Sequence, residues 1–168
     1  MDVPFGTLYL GLKQPPLPSS YDRIVLHNVW STKHRQDFID LDIEPELYTI
    51  MGSQFKKAGC KVIKIGGTDN HVHCLHTLPR TKCIADVIRA VKATSSGWLR
   101  DQGEQYLMFA WQTGYATFSA SYKKLDNLIY YVGNQRLIHA ERELSFETEY
   151  IAYLEAYDLP YDPKYVWD

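Results

Sequence analysis

The spacing of apolar positions changes period several times along the chain, and each change marks an element. Arg23 to Trp30 (RIVLHNVW) is β-branched and aromatic, which predicts a strand. Between Ile43 and Ala58 the apolar residues Ile43, Leu47, Ile50, Met51 and Ala58 recur at helical spacing, and Gly59 follows as a stop. Lys61 to Ile65 reads as a short strand, Gly66-Gly67-Thr68-Asp69-Asn70 as a turn, and His71 to Leu78 as the returning strand of a hairpin. A second helix is expected over Thr81–Leu99, with Ile84, Val87, Ile88, Val91 and Trp98 as its apolar stripe. Tyr106 to Ser119 reads as a long aromatic strand, and a third helix is expected from Leu125 to Glu143. The order β-α-β-β-α-β plus a helix predicts an α+β, ferredoxin-like antiparallel sheet with helices on one face. Many unrelated functions use such a sheet, so the fold alone decides none of them.

At 168 residues the chain reads as a single domain. Its core spans about residues 22–142. Residues 1–20 form an extended lead-in, because Pro15, Pro16 and Pro18 fit neither a helix nor a central strand, and residues 143–168 form an acidic tail. No apolar run approaches the ~20 residues of a membrane span, and the N-terminus lacks the basic start and apolar core of a signal peptide. Three cysteines without a CxxC pair read as reduced thiols, so the expected location is cytoplasmic with no membrane partner.

The net charge of −2 conceals segregation. Met51 to His139 carries 12 basic against 5 acidic residues, whereas the segments before and after are net acidic. A basic middle fits a phosphate-binding face, and it equally fits solvated helix surfaces.

Asn70 to His76 reads NHVHCLH and holds three of the six histidines. Side chains on a strand alternate faces, so His71 and His73 point one way, about 6.6 Å apart at Cα, while Val72, Cys74 and His76 point the other. Two imidazoles at that spacing can converge on one ion, or they can be ordinary strand histidines. The spacing of a dinuclear hydrolase signature, HxHxDH, fails at Leu75, which cannot bind a metal. The HxE and PCxxC of zinc deaminases are missing too. Two histidines leave a divalent ion short of ligands. Tyr131 and Gln135, four residues apart in the third helix, share one face there, and His139 continues it. That stripe is either the rest of a site or a solvated face.

Taken together, HVH and a later helical YxxxQ resemble the single-tyrosine HUH transposases of small bacterial insertion sequences and their REP-associated relatives. HNVWSTK at 27–33, SSGWL at 95–99, FAWQTGY at 109–115 and NQ at 134–135 agree with the resemblance, which covers residues 22 to 142. It implies that His71, His73 and Gln135 hold Mg²⁺ or Mn²⁺ and that Tyr131 is the nucleophile; Tyr130 is turned about 100° away. It also implies cleavage and rejoining of hairpin-bearing single-stranded DNA through a 5′-phosphotyrosine. A further implication is a homodimer in which each tyrosine helix serves the partner's histidines. Gly133, inside the helix, is expected to permit close packing or repositioning.

Lys33, Arg35, Arg89, Lys92, Lys123 and Arg136 are the candidate phosphate contacts, and Trp111 and Tyr115 offer faces for base stacking or for the core. The acidic tail departs from a DNA-binding profile and is assigned to capping the sheet or a partner. The alternatives are a non-catalytic nucleic-acid-binding module, a domesticated REP-associated relative, and a replication initiator or relaxase of the same class.

Overall fold

A computed structural model describes residues 21–167, so the lead-in expected over residues 1–20 lies outside the described residues. Four strands, β1 Val25–Ser31, β2 Val62–Gly67, β3 His71–Thr77 and β4 Ala116–Ser119, form one antiparallel sheet in the order β2-β3-β1-β4. The described residues also form five helices: α1 Glu44–Lys57, α2 Ile84–Arg100, α3 Leu125–Gly133, α4 Gln135–Arg142 and α5 Phe146–Ala156. The architecture is the α+β, ferredoxin-like antiparallel sheet that the sequence predicts, but with helices on both faces rather than on one.

Helices α1 and α2 cover one face of the sheet. α1 starts at Glu44-Pro45, where Pro45 costs no hydrogen bond, and the Asp40 carboxylate accepts the amides of Asp42 and Ile43 just before it. It carries Glu44 and Glu46 in its first turn and Lys56 and Lys57 in its last, each matched to the helix dipole. Gly59 then turns the chain with φ +82°, the left-handed region glycine favours. Between these helices and the sheet, Leu47, Met51 and Phe55 pack on Val72, Cys74, Val87, Val91 and Leu99 in a largely apolar core.

Three elements differ from their expected boundaries. The aromatic run 106–115 is not a strand: β4 begins only at Ala116, and Tyr106 ends a short 3-10 turn, Glu104–Tyr106. The loop between is fixed by side chains. Phe109 and Trp111 sink into the core, the Trp111 indole N–H donates to Ser95 Oγ at 2.9 Å, and Lys92 Nζ donates to the carbonyls of Gln112, Thr113 and Gly114. The expected third helix breaks at Asn134 (φ −120°, ψ 25°) into α3 and α4. The acidic tail contains α5, whose Ser145 cap accepts the Thr148 amide at 3.2 Å.

α5 covers the opposite face of the sheet. Phe146, Tyr150 and Leu154 pack there on Val29, Ala116 and Phe118. α3 lies along β2 so closely that a Cβ built on Gly66 would stand 1.8 Å from the Val132 carbonyl oxygen. Close packing therefore falls on Gly66. A Cβ on Gly133, where the sequence placed it, would meet only the flexible end of Lys64.

Candidate active site

β3 divides its side chains as strand alternation requires. Val72 and Cys74 enter the α1–α2 core with His76, whose ring lies 4.3 Å from that of Phe55 and whose Nε2 meets Asn28 Oδ1 at 2.6 Å. His71 and His73 face α5 instead, fully buried, with ring centroids 5.1 Å apart.

The two are held from behind. Thr68 Oγ1 lies 2.8 Å and Asn70 Oδ1 3.0 Å from His71 Nδ1, which donates its proton to them and turns its Nε2 inward. His73 Nδ1 meets Nε2 of His27 at 2.9 Å. His27 sits on neighbouring β1, where the register pairs Val29 with His73, and is itself almost fully buried. Burial, then the adjacent His73, keeps His27 well below its ordinary pKa, and burial brings His71 down to about 4.

Gln135 opens α4 at 1% exposure, with Oε1 3.4 Å from His71 Nε2 and its amide N–H donating to the Tyr131 carbonyl. One turn further, His139 donates from Nδ1 to the Leu144 carbonyl at 2.7 Å and points Nε2 at the same cluster. Tyr131 reaches the cluster from α3, its ring 6.0 Å from His73, whereas Tyr130 is 64% exposed and turned away.

The centre of this arrangement is a residue the sequence did not single out. Glu149 of α5 is 3% exposed, and its Oε2 lies 3.2 Å from His73 Nε2 and 3.3 Å from both His71 Nε2 and His139 Nε2. Its other oxygen, Oε1, accepts the Tyr131 hydroxyl. Burial opposes its charge, but the facing His73 and then the contacts with His139, His71 and His73 outweigh this and hold the carboxyl well below the usual range. Burial, Glu149's charge and the hydrogen bond to it all push the Tyr131 phenol upward, so Tyr131 is protonated in this arrangement. His71, His139 and Glu149 offer ligand atoms within 4.8 Å of one another, a group able to hold a metal ion. The acidic tail thus does more than cap the sheet; it enters the cluster.

The basic candidates are not gathered around it. Arg89 and Lys92 lie on α2, across the sheet; Arg89 pairs with Asp86 at 2.6 Å, and Lys92, brought down to about 8 by burial, holds the 112–114 loop. Arg136 is committed to Glu44, Asp69 and the Ile39 carbonyl. Arg35 pairs with Glu147 of α5, while Lys33 and Lys123 are exposed. Trp111 belongs to the core. A groove of about 780 Å³ lined by Lys124, Asn127, Leu128, Tyr131, Tyr153 and Tyr157 leads to the Tyr131 side chain from outside.

Residues 20–135 match the family model described as transposase IS200 like. The chain belongs to the IS200-like transposase family. Two solved structures share its fold. One is a protein described only as a candidate transposase from Deinococcus radiodurans R1, with TM-score 0.57, 17% identity, and coverage of 73% of this chain and 98% of that one. The other is a REP-associated tyrosine transposase bound to a REP hairpin, with TM-score 0.51, 12% identity, and coverage of 71% and 70%. No curated protein matches the chain. The family match ends at Gln135, so His139 and Glu149 lie beyond it. Among the described residues no helix is long and apolar enough to cross a membrane.

Two signals could have revealed the missed residues. His27 shares strand parity with Val29, so the hairpin order of an antiparallel sheet sets it beside β3. Phe146, Tyr150 and Leu154 recur every four residues behind a Ser145 cap, which marks a helix with one buried stripe.

Proposed function

We propose that this transposase cleaves and rejoins hairpin-bearing single-stranded DNA through a 5′-phosphotyrosine on Tyr131, with His71, His73 and Gln135 holding Mg²⁺ or Mn²⁺. The observation that carries the reading is the convergence of the Tyr131 hydroxyl, both inward-facing imidazoles and the Gln135 amide on one buried cluster at the end of a groove. The donor set fits a divalent cation: the His71 and His73 Nε2 atoms and Gln135 Oε1 point inward, and the two imidazoles are fixed from their Nδ1 sides. Such an ion, when bound, draws charge from a non-bridging phosphate oxygen and so favours in-line attack.

The chain's own residues do the rest. Tyr131 Oη forms the bond to phosphorus as the phosphorus–O3′ bond breaks, the phenolic proton is given up, and the released 3′ oxygen takes a proton. In the reverse step a 3′-OH attacks the phosphotyrosine and restores the phenol, so strands are exchanged without an external energy source. Lys124 in the groove lining and exposed Lys123 beside it in the chain offer phosphate contacts, and Lys33, exposed after β1, is a further candidate. Tyr131 stands against the histidines of its own chain. A homodimer that exchanges the tyrosine helices would set the same tyrosine against the partner's histidines.

The test is incubation with single-stranded DNA carrying a hairpin, with Mg²⁺ or Mn²⁺, followed by denaturing electrophoresis. A covalent protein–DNA adduct is expected from the native chain and none from Tyr131→Phe. An adduct that persists in Tyr131→Phe removes the assignment of the nucleophile.

A further inference from the structure

We propose that the cation is held by the C-terminal helices as well as by β3: His139 and Glu149 join His71 and His73 as ligands, and the Glu149 carboxylate bridges the cation to the Tyr131 hydroxyl. The inference deepens the strand-cleavage reading by naming the ligands and the class of metal.

The distances around Glu149 carry the argument. Donor atoms sharing one small cation at bonds of ~2.1 Å stand roughly 3.0–3.4 Å apart. Glu149 Oε2 lies 3.2 Å from His73 Nε2 and 3.3 Å from His71 Nε2 and His139 Nε2, and Gln135 Oε1 lies 3.4 Å from His71 Nε2. The three separations at Glu149 Oε2 and the one between His71 and Gln135 have that length, and the ligand atoms of His71, His139 and Glu149 all lie within 4.8 Å of one another.

Hydrogen-bond directions agree. Each imidazole has its Nδ1 engaged on the outer side: His71 with Thr68 and Asn70, His73 with His27, and His139 with the Leu144 carbonyl. A carbonyl only accepts, so His139 Nδ1 carries a proton and Nε2 is the ring atom left facing the cluster; Asn70 Oδ1 imposes the same on His71. Three Nε2 atoms then face one carboxylate oxygen inside a buried cluster, and such an arrangement calls for positive charge there. A cation supplies that charge and leaves every outer hydrogen bond in place. His27 acts as a positioning residue for His73 in the same way.

The donor chemistry selects the metal. Three imidazoles with one carboxylate and the Gln135 amide oxygen suit a transition-metal dication, whereas Mg²⁺ prefers an all-oxygen shell with retained waters. Tyr131 hydrogen-bonds the second carboxylate oxygen, so occupancy of the cation site fixes the height at which the nucleophile is held.

The experiment titrates Mn²⁺ and Co²⁺ into the full chain and its Glu149→Gln and His139→Ala variants by calorimetry, with Mg²⁺ as competitor and circular dichroism to confirm folding. Each substitution is expected to weaken Mn²⁺ binding at least about tenfold, and Mg²⁺ is expected to compete only in large excess. Affinity unchanged or tighter in Glu149→Gln overturns the ligand assignment, because that carboxylate would then compete with the cation. Equal affinity for Mg²⁺ and Mn²⁺ overturns the metal class. A second measurement needs no variant: proton NMR of the Co²⁺ form is expected to show three exchangeable, hyperfine-shifted imidazole N–H signals, and two signals remove His139. The DNA adduct assay on the same native protein separates the readings. An adduct with unimpaired binding in Glu149→Gln defeats only this inference, whereas impaired binding without any adduct defeats only strand cleavage.

Discussion

The two faces of β3 are one residue apart along the chain and differ in almost every physical respect. On one face Val72 and Cys74 meet Phe55, Met51 and Leu47 in an apolar core, and the single histidine there, His76, is satisfied by Asn28 and the Thr77 carbonyl. On the other face His71 and His73 meet Glu149, Tyr131, Gln135 and His139, and burial raises the cost of every charge. Buried polar clusters of this kind add little net stability compared with an apolar equivalent. One face holds the sheet together, and the other arranges reactive groups at its expense.

Substitutions on each face test that division. The largest effect belongs to Tyr131→Phe, which keeps the ring and removes the attacking oxygen; adduct formation falls to background in the gel assay, with the thermal midpoint nearly unmoved. His73→Ala comes next, lowering cation affinity and cleavage by at least about 100-fold by calorimetry and product quantification. Phe55→Ala acts on the other face: unfolding in urea loses about 3–5 kcal/mol, while the folded fraction retains its cleavage rate. A large drop in rate per folded molecule in Phe55→Ala would erase the distinction between the faces. Gly66→Ala lies between the categories. It forces a side chain against the Val132 carbonyl, costing about 1–3 kcal/mol and slowing cleavage, whereas Gly133→Ala moves only Lys64 and leaves the rate close to native.

The smallest effect is a pH dependence. Burial lowers the pKa of His76, so the unfolded chain binds more protons than the folded one below about pH 6.5. Stability is therefore full above that pH and declines as pH falls toward the folded value. The thermal midpoint should drop between pH 7.5 and 5.5 by less in His76→Gln than in the native chain.

The order of strands and of α1 and α2 was legible because each carries a regular apolar period against polar flanks. Strand parity likewise separated His71 and His73 from His76. The aromatic run 106–115 misled because apolar content without alternation marks burial, not extension; Phe109 and Trp111 enter the core from a loop that Lys92 anchors. The break at Asn134 leaves the Gln135 side-chain amide donating to the Tyr131 carbonyl, so the two residues stay neighbours although the helix does not continue. Glu149 was illegible for a different reason. Its net-acidic surroundings suggest solvent, and only the docking of α5 through Phe146, Tyr150 and Leu154 carries that one carboxylate inside.

The contact between Gly66 and Val132 has a consequence for manufacture rather than chemistry. The helix that carries Tyr131 rests on β2 through main-chain atoms, with no side chain between them at that point. Rotamers can adjust and side chains can be exchanged, but the thickness of a peptide unit is the same in every sequence. The sheet and the tyrosine helix are thereby gauged against each other by covalent geometry, and the height of Tyr131 can drift little while that glycine stands.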